Sequence, residues 1–140
     1  MRPNIVTAIA VCVAAVAAGI AFQNSAVSKE TKDAPVYELR TYTTHEGRLP
    51  ALHKRFRDHT MKIFEKHGMK NVIYWTPTDK EDTLVYVIAH KSHKAADASW
   101  AGFRKDPEWQ AAYKASTANG KIVKKVERQF LTTTDYSPMK

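Results

Sequence analysis

Cysteine is nearly missing. The chain of 140 residues carries one, Cys12, with five Gly and six Pro. Cys12 sits inside an uncharged apolar run instead of at its far end, so it is badly placed for lipid attachment and reads as a small apolar filler. If that run is removed, the remainder has no thiol, which excludes disulfides, zinc–thiolate sites and a cysteine nucleophile from it. Also missing are a glycine-rich phosphate loop, a nucleophile elbow, a paired-carboxylate motif, internal repeats and low-complexity tracts. Acidic residues are the minority, 14 Asp plus Glu against 22 Lys plus Arg, for a net charge of +8. The length allows one domain and excludes a multidomain enzyme.

Charge is absent from the start of the chain, where Arg2 is the only charged side chain before Lys29. The short basic opening and residues 5–20 (IVTAIAVCVAAVAAGI) follow signal-peptide grammar. A small-x-small site at Gly19, Ile20 and Ala21 places cleavage after Ala21, with Ala26 as the weaker choice. The alternative is an uncleaved anchor over residues 5–22, near the lower edge of the roughly 17 to 25 residues that span a bilayer but rich in Ala. One Arg and no polar face argue against an organellar transit peptide. The expected organisation is therefore a signal peptide (1–21), a polar linker (22–34) and one domain (35–140). Export to the periplasm or the extracellular space follows, with a membrane as partner only if the first segment stays uncleaved.

In the domain, residues 36–43 (VYELRTYT) alternate as a strand, with Tyr37, Leu39 and Thr41 on one side and Glu38, Arg40 and Tyr42 on the other. Leu49, Leu52, Phe56 and Ile63 recur at helical spacing across residues 48–67, and Lys54, Arg55, Arg57, Asp58, Lys62 and Lys66 mark the wet side. Gly68 stops that helix, and strands are expected over 69–76 and 83–90. Ala96, Trp100 and Phe103 fall on one face of a next helix. Asp106 is the N-cap of another, with Pro107 at its first position and Trp109, Ala112 and Tyr113 on its buried stripe. A last strand is expected over 126–134. The order β-α-β-β-α-β is α+β and ferredoxin-like, an antiparallel sheet with helices on one face. Val85 and Val87 oppose Tyr86 and Ile88 on the third strand, so the other face needs a cover, and a homodimer packed sheet to sheet supplies it.

The run from Tyr37 to Tyr42 (YELRTY), Gly47 at the head of the long helix, Tyr74 and Trp75 on the second strand, Trp100 to Phe103 (WAGF) and Asp106 to Trp109 (DPEW) together resemble the NIPSNAP family. The resemblance covers about residues 36–131. It implies the dimeric α/β-barrel form of the ferredoxin-like fold and no settled activity. Relatives by fold include haem-degrading and quinone-forming monooxygenases, an analogy of fold alone. No cofactor is expected from the resemblance, although haem fits some of these relatives. Ile73 stands where relatives often place glycine, and the following turn is more acidic than usual, which implies a pocket near Trp75 that is tighter or lost.

Several side chains carry possible chemistry. Charges on a central strand are costly unless paired or facing a wet cavity. Glu38 and Arg40 therefore either pair with each other or across a dimer, or else Arg40 holds an anionic ligand group to which Tyr42 donates a hydrogen bond. His59, His67 and His90 are candidates for acid–base work or haem ligation, against a plain structural role. His90 and His93 have a tempting spacing but no third ligand, so no metal site is expected. Trp75, Trp100 and Trp109, with Tyr74 and Tyr113, line a pocket for a flat organic molecule or else pack the core. Lys121, Lys124, Lys125 and Arg128 form a second basic group. Nucleic acid is not expected as a partner, because the third strand lacks the glycine and aromatic pattern of an RNA-reading sheet. The leading reading is a small apolar or anionic ligand bound by Arg40, Tyr42, Trp75 and His90. The rivals are a haem-handling or cofactor-poor monooxygenase and an interaction module built on the basic helix.

Overall fold

The computed structural model describes residues 35–139; the expected signal segment and the whole of the linker lie outside the described residues. The elements are β1 (Val36–Thr44), α1 (Leu49–Arg55), a π-helical turn (Phe56–Thr60), α2 (Met61–Lys66), β2 (Lys70–Trp75), β3 (Thr83–His90), α3 (His93–Lys105), α4 (Pro107–Ser116) and β4 (Val123–Leu131). The four strands form one sheet in the order β2-β3-β1-β4 with every neighbouring pair antiparallel, the ferredoxin-like arrangement expected from the element order.

The long helix departs from the expected regular one. Thr60 hydroxyl donates to the Arg55 carbonyl at 3.2 Å, and the Met61 amide reaches back to the Phe56 carbonyl, five residues away. One extra residue is thus accommodated in a single wide turn. The insertion joins two helical segments that meet different neighbours: α1 and the π turn pack against α4, whereas α2 packs against α3 and β2. Gly68, in the left-handed region at φ 76°, ends the helix and turns the chain into β2. At the other helix junction Ser92 caps α3, and Asp106 accepts from the Glu108 amide at 2.8 Å to start α4 at Pro107, as its sequence signature required.

Leu52, Ile63, Phe64, Met69, Tyr86 and Ile88 are fully buried between sheet and helices. Phe56, Phe64 and Tyr86 meet there mostly edge to face, with centroids 5.2 to 6.1 Å apart. The opposite side of the sheet carries a second apolar cluster of Tyr37, Val87 and Ala89, with Leu39 and Val72 beside it. The final strand begins three residues earlier than expected and ends at Leu131, because its pairing to β1 is set by Tyr42 opposite Val126 and Tyr37 opposite Leu131. β4 is exposed along most of its length, unlike β3.

Candidate functional site

Alternation places Glu38, Arg40 and Tyr42 of β1 on the helix-facing side, next to Ile88, Tyr86 and Leu84 of β3 and Phe130, Arg128 and Val126 of β4. Glu38 is fully buried and holds three donors. Its Oε1 accepts from Arg40 Nη1, and its Oε2 accepts from His90 Nε2 at 2.9 Å and from Trp100 Nε1 at 2.7 Å. Burial opposes the carboxylate charge, but the hydrogen bonds from His90 and Trp100 and the nearby Arg40 guanidinium outweigh it and hold the Glu38 pKa down, from 4.5 to about 2. Arg40 is paired with Glu38, yet its side chain keeps 12% of its exposure, and its guanidinium lies 4.3 Å from the Trp100 ring centroid and 5.4 Å from that of Tyr42. Directly across the strands stand Tyr86 on one side and Arg128 on the other.

The site therefore joins Arg40, Tyr42 and His90 with Glu38 and Trp100. Of the two readings of the first strand's charges, the Glu38–Arg40 pair forms, and the Arg40 guanidinium also lies against the Tyr42 and Trp100 rings. Arg40 Nε, the Tyr86 hydroxyl and His90 Nδ1 are buried without a hydrogen-bond partner. Such atoms are rare in folded proteins.

Trp75 does not join this cluster. It pairs with Val85 on the edge strand, is 48% exposed, and lines a separate pocket of about 200 Å³ with His53, Phe56, Arg57 and Tyr74. The histidines are also scattered. His59 is exposed on the π turn. His67 ends α2 and contacts Asp106 Oδ2 at 2.7 Å, and only His90 reaches the Glu38 cluster. Trp100 is buried in the core and Trp109 packs against it.

Two residues escaped the sequence reading. Arg128 was grouped with the basic tail, but the β1–β4 register sets it beside Arg40. Arg55 was assigned to the wet side of the helix and is only 4% exposed, its guanidinium against Trp109 and Tyr113 at 5.3 and 5.4 Å. Its position three residues after Leu52 and next to Phe56 was the available signal.

The four-stranded antiparallel sheet with its helices defines a protein of the ferredoxin-like α+β class. A NIPSNAP family model matches residues 37–138, most of the chain, and the chain belongs to the NIPSNAP family. It is similar to a NIPSNAP family protein of unknown function from Agrobacterium tumefaciens, at 22% identity over 77% of this chain and 96% of that one, with a TM-score of 0.67. An uncharacterised NIPSNAP-like domain protein from Burkholderia xenovorans is 15% identical over 76% and 90% of the two chains, with a TM-score of 0.66. SnoaB, a cofactor-independent oxygenase from Streptomyces nogalater, is 17% identical over 75% and 98%, with a TM-score of 0.56. These likenesses are of fold. Comparison with curated proteins gives no match.

Proposed function

We propose that this NIPSNAP protein is exported, pairs as a homodimer through the sheet face that carries no helix, and binds a small anionic molecule with an apolar body between sheet and helices. The observation that carries the reading is Arg40 beside Arg128 on neighbouring strands, with Tyr42 and Trp100 flanking the first guanidinium and β4 exposed next to it. Glu38 neutralises one of the two cations, so the pair together retains a positive charge for a ligand carboxylate or sulfonate. The buried atoms without partners on Arg40 and Tyr86 lie on the same side of the sheet.

The interaction-module reading is weaker, because the basic helix face is partly neutralised. Lys54 pairs with Asp58 at 2.6 Å, Lys66 with Asp106 at 2.9 Å, and Arg55 is buried. Haem ligation by His90 or His67 competes with Glu38 or Asp106 for Nε2 in each case. A flat haemin titration disposes of it.

The test is native mass spectrometry of protein recovered from the exported fraction. A dimer with a bound small acid is expected, and Arg128→Glu, an exposed substitution, releases that acid without unfolding the protein. Ligand-free protein that no aromatic carboxylate or sulfonate stabilises overturns the reading. Mature protein starting near Phe22 supports export, and an intact Met1 in the cytoplasm refutes it.

A second reading rests on the buried Glu38–His90 contact, in which a carboxylate orients an imidazole as in many acid–base sites. Together with the fold shared with SnoaB it supports an oxygenase-type activity without a cofactor. Oxygen uptake with an anionic phenol as substrate, abolished in His90→Gln, is its signature.

A further inference from the structure

Between α1 with its π turn and α4 lies a pocket of about 240 Å³ lined by Lys54, Arg55, Asp58, His59 and Ser116, and otherwise by alanines. It shares none of Glu38, Arg40, Tyr42 or Arg128 with the site between sheet and helices, and Lys54 and His59 are exposed at its mouth.

Arg55 is the unusual component. It is nearly fully buried, and among the described residues no carboxylate pairs with it. Its Nη1 donates to Ser116 Oγ at 3.1 Å, its Nε is buried without a partner, and burial lowers its affinity for its proton. A guanidinium taken out of water without a counter-charge is strongly disfavoured, as is the charge left behind when a buried ion pair loses one partner. The cation-π contacts with Trp109 and Tyr113 and the C-terminal end of the α4 dipole offset part of this. At and just beyond that helix end the carbonyls of Ser116 and Gly120 accept from Arg48 Nη2 at 3.4 and 3.1 Å, and among the described residues no backbone carbonyl accepts from Arg55. Asp58 also lines the pocket, but its carboxylate is held by Lys54 at 2.6 Å and does not reach Arg55.

We infer that the α1–α4 pocket is an anion site for a phosphate-sized oxyanion, free or as the phosphate of a small monoester, with Arg55 as floor and Lys54 and His59 at the rim; Ser116, whose hydroxyl hydrogen goes to the Tyr113 carbonyl at 3.0 Å, orients the guanidinium. Arginine suits this task, since its planar fork matches the oxygens of phosphate and holds its charge when buried. The alanine walls leave room for the oxyanion and for a short apolar body behind it.

The test uses the full chain, with inorganic phosphate and phenyl phosphate as probes at constant ionic strength set by chloride. Thermal unfolding is expected to shift upward with either probe, and amide resonances of Ala51, Ala112 and Ser116 to move with it. A stronger response to phenyl phosphate identifies a monoester as the fitting form, and an equal response identifies the free ion. Arg55→Met removes the response while keeping or raising the melting temperature, because replacing an unpaired buried cation with an apolar chain of similar size removes its desolvation cost. Ser116→Asp supplies an internal carboxylate to Arg55 and also abolishes the response, which guards against a folding defect in the first variant. Arg128→Glu leaves the response intact, so failure of the ligand site under the sheet and failure of this one are separable. An unchanged phosphate response in Arg55→Met and Ser116→Asp, or no response to either probe in the parent protein, overturns the inference.

Discussion

Trp100 donates its indole hydrogen to Glu38 at 2.7 Å across 62 positions of sequence, and turns its ring face to Arg40 at 4.3 Å. A single side chain on α3 thus touches both members of the β1 ion pair. It ties the second half of the chain to the first strand through polar contacts instead of packing alone.

Trp100→Phe keeps most of the ring and removes the donor. Glu38 then loses one of three partners while staying buried, which costs about 1 to 3 kcal/mol. Urea unfolding measures the loss, and it shrinks when Trp100→Phe is made in a Glu38→Gln background, because the two positions share one interaction.

Acid lowers stability through the same carboxylate. Glu38 titrates near 4.5 when unfolded and at about 2 when folded, so its contribution is fully present above the unfolded value and is lost as pH falls from there through about 2. The contribution is of the order of 3 kcal/mol. Asp106, whose pKa is lowered by its contacts with Lys66 and His67, gives way in the same direction at still lower pH. Equilibrium unfolding between pH 6 and pH 2 shows the slope in the parent protein, and Glu38→Gln flattens it.

Gly102 lies where a β-carbon would stand 2.7 Å from His67 Nδ1, while the other ring nitrogen of His67 is held by Asp106. Gly102→Ala must therefore displace the imidazole and break that hydrogen bond, at about 1 to 3 kcal/mol. Adding His67→Ala relieves the clash, so the double variant is less destabilised than the sum of the singles. Strictly additive melting shifts would contradict this.

Ile73, Trp75 and Leu131 are exposed and lie, by register, on the sheet face with Tyr37 and Val87. If that face joins two copies, Ile73→Lys with Leu131→Lys places like charges in the joint while leaving each copy folded. Light scattering then reports half the mass, with an unchanged circular dichroism spectrum.

Elements with a strong local signature were legible in the sequence. β3 falls on the expected residues 83–90 because an eight-residue β-branched and aromatic run between turn residues has no competing reading, and Asp106-Pro107 fixes the start of α4. Glu38, Arg40 and Tyr42 were assigned to one face by alternation alone. Features that depend on tertiary partners were not legible. The π turn hinges on a Thr60 hydroxyl contact that no periodicity reveals, and Arg55 is buried by α4, an element some fifty residues away. Arg128 became part of the site only through strand register. Trp75 was grouped with Arg40 on residue type, and the pleat of an edge strand sends it elsewhere.

The added residue in the π turn also changes what the long helix faces. Each residue advances a helix by about 100 degrees, so a one-residue insertion swings the face of α2 away from the face of α1. One continuous helix thereby serves two partners: α1 and the π turn face α4, α2 faces α3 and β2, and the Thr60 hydroxyl on the Arg55 carbonyl marks the residue at which the face changes.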